Sequence, residues 1–84
     1  ESAVYHFSIH PNPSKGKLKL TCDFNVQNEA YSILLSDLLG NEIETYELSE
    51  KISTLHLPDL SAGVYLLYLK GNANYLGVKK IILE

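Results

Sequence analysis

The side chains best suited to chemistry in this 84-residue sequence are three histidines, one cysteine and scattered hydroxyls and carboxylates. His6 and His10 lie four positions apart. On a strand that spacing keeps them on one face, but about 13 Å apart at ~3.3 Å per residue, too far to share a metal ion. His56 falls in a different segment and is expected to face solvent. Cys22 sits at the inward phase of an alternating stretch and reads as a buried, inert thiol, since a reactive one wants an exposed, electropositive setting. As the only cysteine, it excludes an internal disulfide and a cysteine-based zinc site. No serine stands between flanking glycines as in a nucleophile elbow. Glu42, Glu44 and Glu47 read as a solvated face. The residues therefore predict no catalytic, cofactor-binding or metal-binding set.

Six tyrosines are the other chemically capable group. Tyr5, Tyr46 and Tyr75, if exposed and coplanar, would suit a carbohydrate-binding platform, although tryptophan, the commonest sugar stacker, is absent. Core and rim packing is the simpler reading. Tyr65 is more specific. It follows Leu60-Ser61-Ala62-Gly63 and opens an apolar strand, where sandwich folds place a tyrosine whose hydroxyl bonds backbone a few residues upstream. Leu60-x-x-Gly63-x-Tyr65 is expected to be such a corner, locking a crossover between sheets.

The segments that position these residues repeat with period two, the signature of strands. Phe7 and Ile9 alternate with His6, Ser8 and His10. Pro11-Asn12-Pro13-Ser14-Lys15-Gly16 breaks that run, because two prolines remove two ladder donors. Leu18, Leu20 and Cys22 alternate with Lys17, Lys19 and Thr21, as on an antiparallel strand with one wet face. Asp23 to Glu29 reads as a loop. Tyr31, Ile33 and Leu35 begin a third strand, and Asp37 to Asn41 a turn in which Asp bonds its own backbone ahead and Gly40 takes positive φ. Glu42 to Leu48 reads as an edge strand and Ile52 to Leu57 as a fifth strand. Val64 to Leu69, apolar on both faces, reads as a central strand covered on both sides. Gly71 to Asn74 turn the chain, and Tyr75 to Leu83 close it. Seven short strands with regular turns predict an all-β, immunoglobulin-like antiparallel sandwich, with a small barrel as the alternative. No window carries a sustained helical stripe.

A chain of this length is expected to form one domain that buries roughly 60–65% of its unfolded surface, with stability on the order of 5 kcal/mol. Its 45% hydrophobic and 20% charged residues are those of a globular chain. A net charge of −3 and the absence of Arg argue against a nucleic-acid partner. No apolar run approaches the ~20 residues that span a bilayer, so no direct membrane insertion is expected. The start at Glu1, without Met or signal peptide, suggests a piece of a longer protein.

Four segments in order, Pro11-Asn12-Pro13…Gly16, Leu35-Ser36-Asp37-Leu38-Leu39-Gly40, Leu60-Ser61-Ala62-Gly63-Val64-Tyr65 and Lys79-Lys80-Ile81-Ile82-Leu83, resemble the type A C-terminal sorting domain of the type IX secretion system. The resemblance runs from about Phe7 to Glu84. It implies a non-catalytic immunoglobulin-like sandwich forming the end of a secreted bacterial protein. That parent would cross the periplasm, pass the outer-membrane translocon and reach the cell surface or the medium. A surface sortase would usually remove the domain, at or before about Glu1 to Val4, leaving residues 1–5 as residual linker. Carried over residue by residue, the recognition candidates are Pro11, Asn12, Pro13, Gly16, Asp37, Gly40, Gly63, Tyr65, Lys79, Lys80, Ile81, Ile82 and Leu83. The glycines also read simply as turn formers, and the two lysines also read as protection of an edge strand. A carbohydrate-binding or fibronectin-like accessory domain is the alternative function; oligomeric state is left open.

Overall fold

In the computed structural model, which describes residues 5–11, 15–27, 29–72 and 74–84, the chain forms seven strands. They are β1 (Phe7–His10), β2 (Lys17–Cys22), β3 (Tyr31–Asp37), β4 (Glu42–Leu48), β5 (Ile52–His56), β6 (Gly63–Gly71) and β7 (Asn74–Leu83). Every pairing is antiparallel. Three strands form one sheet in the order β1-β2-β5, and four form the other in the order β4-β3-β6-β7. This is the expected immunoglobulin-like sandwich, with two open sheets rather than a closed barrel. The fourth strand joins the sheet of β3, β6 and β7.

Strict alternation explains why these segments pair face to face. Leu18 and Leu20 of β2, Ile33 and Leu35 of β3, Leu67 and Leu69 of β6 and Ile81 of β7 all lie at 0% exposure. Each contributes about 1.5–3 kcal/mol of transfer free energy. The intervening Lys17 and Lys19 stay in water. Cys22 is buried within this core, and desolvation pushes its thiol pKa up, as expected of an inert cysteine.

One expectation needs correction. The strand buried on both faces is β3, not β6. Leu34 and Ser36 on its outer face are 4% and 2% exposed, whereas Val64, Leu66 and Tyr68 on the outer face of β6 are half-buried. Both strands are central, so apolar content alone did not decide which would be covered.

The side of the sandwich where β4 faces β5 is tied by the Tyr46 hydroxyl, which donates to the His56 carbonyl at 2.9 Å. At the end holding the β6–β7 hairpin, Tyr5, Phe24 and Tyr31 pack edge to face, with ring centroids 4.9 Å apart for Phe24 and Tyr31 and 5.3 Å for Tyr5 and Phe24. Burial, the Glu29 charge and hydrogen bonding to Glu29 and Tyr5 push the Tyr31 phenol up to about 12. Gly71 lies beneath this cluster. A Cβ there would come within 2.9 Å of Tyr31, Leu76 and Glu29, so a position that reads as a turn glycine is a close approach inside a strand. Asn72 turns the hairpin at φ 49° and donates from Nδ2 to Glu29 at 2.6 Å.

Candidate recognition surface

Strand direction sorts the recognition candidates in space. β3 ends opposite the start of β6, with Asp37 beside Tyr65, and Tyr65 pairs with Ile81 near the end of β7. Gly63 pairs with Leu83. On the other sheet, the start of β2 lies beside the end of β5, where Lys17 pairs with His56 and the Gly16 carbonyl accepts the Leu57 amide at 2.8 Å. A shallow cleft of about 360 Å³ joins the two sheets at this end, lined by Gly16, Leu57, Leu60, Leu83 and Glu84 among others. Segments far apart in sequence thus meet at one end of the sandwich. Asn12 and Pro13 lie outside the described residues; Pro11 is exposed and follows a cis peptide bond.

Each piece of this end has a local cause. The Asp37 carboxylate accepts the amides of Leu39 at 2.9 Å and Asn41 at 2.8 Å, and the Asn41 side-chain amide at 2.9 Å. These bonds, the Asn41 side chain foremost, hold the carboxyl below its ordinary pKa. Gly40 supplies φ 91°, with open space around it. The turn lifts Leu38 and Leu39 into solvent at 60% and 88% exposure. The resemblance singled out Asp37 and Gly40 but not this leucine tip, whose exposure rests on the turn geometry.

The tyrosine corner forms as expected. The Tyr65 hydroxyl donates to the Ser61 carbonyl at 2.7 Å, four residues upstream, and the ring packs against the core. Gly63 precedes it at φ 155°.

Among the described residues β7 is the outermost strand of its sheet, paired with β6. Ile81 and Leu83 are core residues at 0% and 6% exposure, so any part they take in recognition runs through the fold. Ile82 is 40% exposed on the outer face. Lys79 and Lys80 are both exposed but stand on opposite faces. Lys79 has the inward phase of Ile81, and its ammonium lies 5.9 Å from the Phe7 ring centroid at the margin of the core. Lys80 shares the outer face with Val78 and Ile82.

The other chemically capable residues do not converge. His6, His10 and His56 are exposed on different segments, and no group of three potential ligands able to hold a metal occurs among the described residues. Glu42, Glu44 and Glu47 are exposed along β4. Of the tyrosines considered for a sugar platform, Tyr5 and Tyr46 are half-buried and packed. Tyr75 is 61% exposed but meets Tyr68 at 65°, which is not coplanar. No helix among the described residues is long and apolar enough to cross a membrane.

No curated protein matches the chain. A family model described as the secretion system C-terminal sorting domain matches residues 8–84, a span that takes in all seven strands but the first residue of β1. The chain belongs to this family of C-terminal sorting domains, the sorting signals of type IX secretion.

Proposed function

We propose that this domain carries a parent protein through the outer-membrane type IX translocon, for attachment to the cell surface or release, and that the end of the sandwich holding the four shared segments is the surface the export machinery reads. The observation that carries this reading is the gathering there of Gly16, the Asp37–Asn41 turn, the Tyr65 corner and the end of β7. A fold needs its turns at both ends, yet the motifs that carry the resemblance fall mostly at one.

Three features give this end means of recognition. The leucine tip offers apolar surface on a turn already held by hydrogen bonds, so little ordering cost falls on binding. β7, the outermost strand of its sheet among the described residues, offers a strand for recognition by strand addition. The lysines define which pairings are tolerated: an inward-phase charge at an edge, as Lys79 provides, discourages indiscriminate strand pairing. Cleavage by a surface sortase upstream of β1, at or before about Glu1 to Val4, completes the reading. The domain itself serves as substrate and address and performs no catalysis.

Deleting residues 79–84 would be a poor test, because it removes Ile81 and Leu83 from the core. Surface variants separate recognition from folding. In the parent protein, Leu38→Ser with Leu39→Ser is expected to lower export about tenfold, a loss of ~1.4 kcal/mol in partner affinity, with an unchanged unfolding midpoint. Glu50→Ala, an exposed change at the opposite end, should export normally. Full export of the leucine variant, with folding intact, would count against this end as the recognition surface.

A further inference from the structure

The outer face of the four-stranded sheet carries an ordered array of charged and apolar side chains. Register places Glu42, Ser36, Leu66 and Lys80 in one row across the four strands, from β4 to β7. The next row is Thr45, Leu34, Tyr68 and Val78, and the one beyond it Glu47, Ser32, Lys70 and Tyr75. The acids therefore stand on β4 and the lysines on β6 and β7, with Leu34, Leu66 and Tyr68 between Glu42 and Lys80 and their neighbours. Three of the large hydrophobic residues most open to solvent, Tyr75 at 61%, Val78 at 52% and Ile82 at 40%, lie on this face. The Lys70 ammonium sits 5.3 Å from the Tyr75 ring centroid and so leans toward the β7 edge.

We infer that this face packs against the same face of a second copy of the chain, about a twofold axis running parallel to the strands between β3 and β6. The charge array selects that occupant and that axis. Rotation about such an axis keeps each row at its own height and exchanges left for right. Lys80 of one copy then stands over Glu42 of the other, twice by symmetry, and Lys70 leans toward the other copy's Glu47. In the middle, the half-buried Tyr68 of each copy lies over β3 of the other, whose Leu34 is already covered within its own chain. A twofold axis perpendicular to the strands would instead place β4 on β4, with Glu42 of one copy over Glu47 of the other. Two sheets packed in this manner lie ~10 Å apart in the aligned arrangement of sandwiches, and the interface is isologous.

Size sets the strength. Four strands at ~4.8 Å spacing and rows about 7 Å apart give a footprint of roughly 400 Å². That is about half of the ~800 Å² per partner of a standard stable interface. The dimer is therefore reversible and concentration-dependent, and because its pairs lie at the rim it weakens with salt.

Sedimentation equilibrium of the 84-residue chain from about 1 μM to 1 mM tests this. The expected result is a monomer–dimer equilibrium that Lys80→Glu weakens about tenfold, as does Glu42→Lys, since each places like charges opposite one another twice. The double variant Glu42→Lys, Lys80→Glu should restore association. Within one chain the two positions stand three strand spacings apart, about 14 Å, so restoration reports contact between copies. Both side chains are exposed, and matching circular dichroism spectra would show that the fold is kept. A monomer throughout the range, a dimer indifferent to either single change (as pairing of β7 edges would be to Glu42→Lys), or a double variant no tighter than the single ones would each overturn the inference.

Discussion

A single hydroxyl, that of Tyr65, shows how residue identity is spent on geometry here. Its 2.7 Å bond to the Ser61 carbonyl fixes the approach of the chain to β6, while the ring fills the margin of the core. Tyr65→Phe keeps the ring and removes only that bond, so urea unfolding should show a loss of about 1 kcal/mol. Asp37 plays the matching part at the end of β3. Because its folded carboxyl pKa is depressed, chiefly by the Asn41 side chain, the stabilisation is present above the ordinary value of 3.8 and is lost as pH falls through the folded value. The difference in thermal midpoint between the native chain and Asp37→Ala should therefore be full at neutral pH and shrink in acid. A constant difference would mean that the carboxylate charge is not what holds the turn. Tyr31 has the opposite sign at the other end of the pH range. Its raised phenol favours the folded state below its ordinary pKa of 10 and loses that contribution as pH rises toward about 12.

Among the elements, β7 carries two loads at once. Ile81 closes the core, and Ile81→Ala should cost about 2–5 kcal/mol in unfolding free energy, enough to unfold a chain of this size in part. Lys79 lies two residues earlier on the same phase but outside the core. Lys79→Val should leave unfolding stability nearly unchanged while raising light scattering at high concentration, because a charge at the edge has been replaced by a β-branched apolar residue. Much of this was legible in the sequence. Alternation located all seven strands and the buried Cys22, and turn chemistry located the Tyr65 corner and the hydrogen-bonding Asp37. What remained hidden depends on neighbours that periodicity does not name. Alternation tells which side chains share a face of β3 and β6, but not that β3 is the one buried on both. It marks Gly71 as a turn residue because the tyrosine cluster above it joins segments some forty positions apart. It cannot show that Leu38 and Leu39 are held outward, since two leucines in an apolar stretch look like core until the turn is built.

Taken whole, the molecule is a two-sheet sandwich built around one core. No metal-ligating group assembles among the described residues, and the core is held by burial rather than by a disulfide. The fold brings Gly16, the Asp37–Asn41 turn, the Tyr65 corner and the end of β7 to one end. On the proposed role that end is a portable address, dependent on the sandwich and not on the protein in front of it. The most direct measurement is therefore transplantation. Residues 1–84 would be fused after a periplasm-directed fluorescent protein and expressed in a host with the type IX system and in its translocon-deficient mutant. The expected result is fluorescence at the surface or in the medium of the first strain only. Periplasmic retention of an intact, folded fusion in both strains would contradict the account.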